Sequence, residues 1–222
     1  MKKDYTHITI LLDKSGSMMA TANDTIGGFN SFIDSQVKLN KECTASVYNF
    51  SNEIEIVNEN CNLNLIKHLS NSNYIPSGMT ALLDAIGFSV EKTGYFLSSI
   101  SENLRPSKVI FVIITDGEEN SSKKFSSDKI KSMIEHQRNK YNWEFIFIGA
   151  NQDSCLSAKS YGISTGSSLN YSLNSNGITG MFNSLTNVCS EYRLFERKSC
   201  TFSPDDLDEQ LKKINKNIST LT

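Results

Sequence analysis

Apolar runs alternate along the chain with stretches whose apolar residues recur every three or four positions. Residues 6–12 make a β-rich run that ends in Asp13, and Ile26, Phe29, Ile33 and Val37 then follow at helical spacing. "CTASVYNF" (43–50) and "EIEIVNEN" (53–60) are parted only by Ser51-Asn52, the tight turn of an antiparallel hairpin. Leu82, Leu83, Ile86 and Val90 share one helical face within 78–100. "KVIFVIITDG" (108–117) is almost continuously apolar, as a central strand covered on both faces must be. A helix over about 127–140, with Ile130, Met133 and Ile134 inward, leads to a second buried strand in "NWEFIFIGAN" (142–151). A short helix near 153–161, a weak strand near 168–172 and a helix over 177–195 complete the pattern.

This order predicts βαβ units, hence an α/β fold with a mostly parallel sheet and one antiparallel edge strand. Gly27-Gly28 interrupt the first helix, and close packing against a neighbour is the reason to expect them there. Residues 203–218 begin with a serine cap, a proline and acids in the first turn, and Leu207, Leu211, Ile214 and Ile218 form a stripe. An amphipathic helix packed on the body is expected for them. The Ser/Asn-rich stretches at 70–77 and 164–176 read as loops, and no repeat is visible. The expected organisation is one domain over 1–195 and a C-terminal extension over 196–222.

Composition narrows the function. The 222 residues are 38% hydrophobic and 21% charged with a net charge of −2, which suits a globular protein and not a nucleic-acid binder with a basic stripe. Pairs such as Lys123-Lys124 and Lys212-Lys213 read as solvated faces. Five cysteines (43, 61, 155, 189 and 200) are scattered without a CxxC, poor material for a disulfide framework or structural zinc. No apolar run reaches the roughly 20 residues of a membrane span. The basic start MKKDY leads into a run that Asp13 breaks, so it reads as a strand and not a signal peptide. A cytoplasmic protein is expected, and the Asn/Ser/Lys/Ile-rich composition fits an AT-rich microbial or phage genome.

Three loops at the carboxyl ends of the predicted strands are rich in oxygen. The first offers Asp13, Ser15 and Ser17, the second Thr80 at a helix start, and the third Asp116 within Thr115-Asp116-Gly117. In an open α/β sheet such loops gather in one crevice. Two facing carboxylates repel, and a divalent cation makes the arrangement favourable. Carboxylates and hydroxyls are hard ligands suited to Mg²⁺ or Mn²⁺.

These residues, Asp13-Lys14-Ser15-Gly16-Ser17 with the distant Thr80 and Asp116, resemble the metal-ion-dependent adhesion site (MIDAS) of the von Willebrand factor type A (vWA) domain family, D-x-S-x-S…T…D. The resemblance covers residues 5 to about 195. It implies a Rossmann-like three-layer sandwich with helices on both faces. It further implies that Ser15, Ser17 and Thr80 bind the metal directly or through water while Asp13 and Asp116 anchor it. Mg²⁺ is the expected ion, with Mn²⁺ or Ca²⁺ as alternatives. The implied function is metal-mediated capture of an Asp or Glu of a partner protein, either alone or as an accessory subunit beside an AAA+ ATPase or in a stress-response or phage-related complex.

Each residue also has a plainer reading. Asp13, Ser15 and Ser17 suit a capped turn, Thr80 a helix cap, and Asp116-Gly117 a turn. Glu118 and Glu119 are expected to face solvent, and Asp153 to cap the next helix with Asn151 nearby. The three histidines and the cysteines read as structural or surface groups. A metal-dependent phosphohydrolase is the enzymatic alternative, but Ser15 stands where a haloacid-dehalogenase-like enzyme needs its acid/base aspartate. No receiver-type acidic pair or GxGxxG follows the first strand.

Overall fold

Strand β1 (Lys2–Asp13) is buried on both faces from Tyr5 onward and β4 (Pro106–Thr115) is apolar on both faces from Val109 to Ile114, which places them in the middle of a covered sheet. The computed structural model, which describes residues 1–150 and 154–203, places them side by side. Around them run α1 (Ala22–Lys38), β2 (Cys43–Phe50), β3 (Ile54–Asn62), α2 (Leu82–Ser99), α3 (Ser127–Tyr141), β5 (Glu144–Gly149), α4 (Ser154–Ser160), β6 (Ser168–Asn170) and α5 (Ser175–Arg193). The sheet order is β3-β2-β1-β4-β5-β6, with every neighbouring pair parallel except β2 and β3. The expected α/β architecture with one antiparallel edge strand is therefore the observed one.

Alternate residues of each strand serve opposite layers. Ile8, Ile10, Leu12 and Val112 pack with Phe29, Ile33, Met181 and Leu185 of α1 and α5. Leu11, Phe111 and Ile113 pack with Leu83, Ile86, Val90, Ile130 and Ile134 of α2 and α3. One inward expectation fails: Val37 is exposed, and Phe32 is buried instead. The last turn of α1 is anchored by polar groups. Arg193 donates to the Gln36 carbonyl (2.8 Å) and side-chain oxygen (3.0 Å), tying α5 to α1. Gly28 lies so close to α5 that a Cβ there would stand 2.1 Å from the Phe182 ring, whereas a Cβ at Gly27 would meet nothing.

Cys43, Cys189 and Cys200 are buried free thiols, and burial pushes Cys43 up to about 11 and Cys189 up to about 12. The Cys200 N–H bonds to Glu144 Oε2 (2.9 Å) and the Phe202 N–H to the Gly166 carbonyl (2.8 Å), so the chain beyond α5 lies along the β5–β6 edge. Apart from Ser203, the helix expected over 203–218 lies outside the described residues, as do Asn151 and Asp153. No helix among the described residues is long and apolar enough to cross a membrane.

His7 is fully buried on β1, with Nδ1 bonded to Thr44 Oγ1 (2.9 Å) and Nε2 without a partner. Burial lowers its pKa to about 3, against an ordinary value of 6.5. The unfolded chain therefore takes up this proton first, and stability is lost as pH falls from 6.5 towards 3. About 2 kcal/mol should be lost between pH 6.5 and 5 on this account. Urea unfolding of the parent and of His7→Leu at pH 7 and pH 5 should show the loss in the parent and a flatter response in the variant.

Candidate metal centre

The strand order reverses between β1 and β4. From β1 the chain crosses to β2 on one side, and β4 begins the other half of the sheet. Loops leaving the carboxyl ends at such a point diverge and leave a crevice between them. Asp13 closes β1 and Asp116 follows the last residue of β4, so the sheet alone brings the two acids to this edge.

Local chemistry fixes their orientation. Asp13 Oδ1 accepts the Ser15 N–H (2.7 Å), an Asx-type bond that turns the chain out of the strand and into a 3-10 turn over Gly16–Thr21. Asp13 Oδ2 accepts the Thr115 hydroxyl (2.6 Å), and the Tyr74 phenol donates to the Asp13 carbonyl (2.6 Å). The Ser17 hydroxyl donates to Asp116 Oδ1 (2.7 Å), and the Ser15 and Ser17 oxygens are 3.1 Å apart.

Thr80 arrives on a loop stitched to the first one. The Gly16 N–H bonds to the Gly78 carbonyl (3.0 Å) and the Ser77 N–H to the Lys14 carbonyl (2.7 Å). Gly78 has φ +82°, and a Cβ there would sit 2.2 Å from Asn52 Oδ1, which itself accepts the Met79 N–H (2.8 Å). Glycine is required on both counts. At Gly117 a Cβ would lie 3.1 Å from Thr80 Oγ1 and 3.8 Å from Ser17 Oγ, so all three loops converge. The five residues named from sequence thus come together.

The charge here is poorly solvated. Asp13 is 0% exposed and Asp116 5%. Burial raises the pKa of Asp13, with the Thr115 and Ser15 hydrogen bonds opposing it and the Asp116 charge adding to it. Burial raises Asp116 as well, against the bond from Ser17. Asp116 Oδ2 is buried without any hydrogen-bond partner. A buried acceptor left unmatched costs about 1–3 kcal/mol, more when charged. Among the described residues no cluster of three or more His, Cys, Asp and Glu side chains could hold a metal, so an ion at this edge would depend on hydroxyl oxygens. Two carboxylates with three hydroxyls and no thiol or imidazole fit a hard divalent cation. Beside Asp116, the cavity bordered by Thr115, Gly117, Phe147 and Tyr161 measures about 20 Å³, room for a water-sized group.

Two local readings need correction. Thr80 does not cap α2. The N-cap is Ala81, which has no side-chain cap, and the first free N–H groups of the helix go to Glu119 Oε2 (from Leu83, 2.9 Å) and Ser122 Oγ (from Asp84, 3.0 Å). Nor does Glu119 face solvent unbound, because it also accepts the Ser121 and Ser122 N–H groups (2.9 and 2.7 Å) and the Ser122 hydroxyl (2.7 Å). Asp84 reciprocates by accepting the Lys123, Lys124 and Phe125 N–H groups. Burial opposes its ionisation, and those three bonds outweigh it, leaving the carboxyl below the usual range. Asn120 pairs with the Thr80 backbone in both directions (2.9 and 3.1 Å). The loop after Asp116 is thus strapped to the start of α2. The serine-rich "EENSS" that builds the strap carried no more than a turn signal in the sequence.

No protein-family model matches the chain, and no curated protein matches it. Solved structures do. Proximal thread matrix protein 1 from the mussel byssus superposes with a TM-score of 0.61 at 16% identity over 85% of this chain, and another structure of that protein has a zinc-occupied MIDAS motif. The von Willebrand factor type A structure from Catenulispora acidiphila gives 0.54 at 14% over 83%, and BatB from Bacteroides thetaiotaomicron 0.54 at 13% over 93%. The chain spans 47% and 42% of the first two proteins and 99% of the third. With these neighbours and this sheet order, the fold is that of the vWA domains.

Proposed function

We propose that this chain is a non-enzymatic, metal-dependent protein-binding module of the cytoplasm. In this reading Asp13, Ser15, Ser17, Thr80 and Asp116 hold a divalent cation, Mg²⁺ before Mn²⁺ or Ca²⁺, to which a partner protein presents an Asp or Glu. The observation that carries it is the buried, unpartnered Oδ2 of Asp116, set among four other hard oxygen donors. When bound, the cation supplies Lewis acidity towards a carboxylate oxygen. The chain's own residues do the rest. Thr115 and the Ser15 N–H fix the Asp13 carboxylate in place, and Ser17 fixes that of Asp116. Only two formal negative charges are supplied, which leaves a divalent ion attractive to a third. The mussel protein with zinc in its MIDAS supports metal binding by this fold. Ser15 in place of an acid speaks against phosphohydrolysis.

Calorimetric titration with Mn²⁺ and Mg²⁺ tests the reading. One site is expected, and saturating metal should raise the Tm by mass action. Thr80→Val, which removes one hydroxyl and keeps the shape, should weaken uptake about tenfold or more, as loss of a single ligand oxygen would (about 1.4 kcal/mol). A folded parent that takes up neither ion would end the reading.

A further inference from the structure

At the other edge of the sheet, where β4 begins, the last turns of α2 and α3 enclose a pocket of about 590 Å³. Small-molecule sites measure about 300–1,000 Å³. From Val109, which borders the pocket, the rest of β4 runs about 20 Å to Asp116, so this site is separate from the candidate metal centre.

The inner wall is apolar. Leu97, Val109 and Trp143 belong to the core layer between the sheet and the α2–α3 pair, and each borders the pocket. Tyr141, 49% exposed, stands at the opening. Gly94 of α2 completes the wall. A Cβ there would meet nothing within 4 Å, so close packing does not explain this glycine as it explains Gly28. Glycine inside a helix costs about 0.5–1 kcal/mol relative to alanine. What the missing side chain preserves is open space.

The charge at the opening is positive. Arg105 Nε donates to the Ile100 carbonyl (2.8 Å) and Nη2 to the Ser98 carbonyl (3.3 Å), which fixes the guanidinium at the end of α2. Lys140 Nζ lies 5.4 Å from the centre of the Tyr141 ring. Neither cation has an ion-pair partner among the described residues, and Glu102 is the one acid among those bordering the pocket. Helix C-termini ordinarily favour a cation. Here their carbonyls are already engaged, those of α2 by Arg105 and those of α3 by the Asn142 N–H (3.1 Å) and the Trp143 N–H (3.3 Å). The unmatched charges are therefore the two side-chain cations, and a guanidinium is well shaped for a carboxylate.

We propose that this pocket binds a small organic acid, its apolar or aromatic body against Leu97, Val109 and Trp143 and its carboxylate towards Arg105 and Lys140. Complementarity selects that occupant: an apolar wall for the body, and two cations without ion partners for the head. The site uses none of the metal-centre residues and is independent of the metal-binding reading.

Trp143 is the only tryptophan in the chain and so reports on this pocket directly. The test excites it in the full chain, in EDTA, and follows energy transfer to dansylglycine and to dansylglycinamide, which has the same body without the charge. Saturable transfer at one site is expected, with dansylglycine bound about fivefold or more tighter. Gly94→Leu should weaken dansylglycine about tenfold or more with the Tm unchanged or raised, because its side chain enters the open space and leucine is the better helix former. Arg105→Gln/Lys140→Gln should bring acid and amide within about twofold of each other, the amide binding as in the parent. Absence of saturable transfer, or binding that survives Gly94→Leu, overturns the site. Equal binding of acid and amide by the parent, or a preference for the acid that persists in the double variant, overturns the role of the two cations and the ligand class with it.

Discussion

Asp116→Asn should weaken Mn²⁺ or Mg²⁺ binding about a hundredfold or more, while the metal-free protein stays as stable as the parent or becomes more so. The two halves of this result have one cause. In the metal-free protein Asp116 is a buried carboxylate whose Oδ2 has no donor, and burial pushes its pKa upward. An acid whose folded pKa is raised destabilises the folded state at any pH where the unfolded chain is ionised, so at pH 7 the charge is a cost. Asparagine removes the charge and can still accept the Ser17 hydroxyl. With metal present the balance reverses, because one of only two formal charges facing the ion has gone; a hundredfold loss corresponds to about 2.8 kcal/mol. Calorimetry with Mn²⁺ and thermal melts in EDTA read the two halves separately. Unchanged metal affinity would remove Asp116 from the centre. A large drop in metal-free Tm would show that its carboxylate stabilises the fold after all.

Gly28→Val should destabilise the fold by about 3 kcal/mol, near the upper end of what overpacking a core costs. For a chain of this size that lowers the Tm by roughly 10 °C. The Phe182 ring that a Cβ would strike lies 2.1 Å from the ideal Cβ position, and Phe182 is itself buried between α1 and α5. Gly27→Ala, one position away, should instead stabilise by about 0.5–1 kcal/mol, since its Cβ would meet nothing and alanine is the better helix former. Opposite signs for adjacent glycines, measured by urea unfolding, are the diagnostic outcome. Two losses of equal size would mean that the α1–α5 contact is not what constrains this helix.

The Gly27-Gly28 pair shows how far the sequence can be read. That a glycine here serves close packing was legible, because few other reasons place two of them mid-helix. Which of the two it is depends on the rotation of α1 against α5, and this was not. The same rotation exchanged Val37 for Phe32 as an inward residue. The sheet was readable almost strand by strand, since continuous apolar runs have nowhere to go but its middle. That the loops bearing Asp13, Ser15, Ser17, Thr80 and Asp116 converge was readable, because each follows a strand end or precedes a helix, positions that the topology brings to one edge. The roles of Glu119, Ser122, Asp84 and Asn120 were hidden, and Glu119 was read as solvent-facing, because they satisfy groups about 40 positions away, such as the Thr80 N–H bonded to Asn120 across 40 residues. Caps supplied from outside a helix leave no mark in its local pattern. The placement of Tyr74 beneath Asp13, 61 positions away, is hidden for the same reason.

The bond from Thr115 to Asp13 joins residues 102 positions apart. Contacts of such separation are entropically expensive to close and tend to form late, after local helices and hairpins. Neither half of the chain carries a usable centre by itself. On the proposed metal-binding reading, ion uptake would then register the completion of folding: in a nascent or partly unfolded molecule, with β4 not yet beside β1, Asp13 and Asp116 have not been brought together.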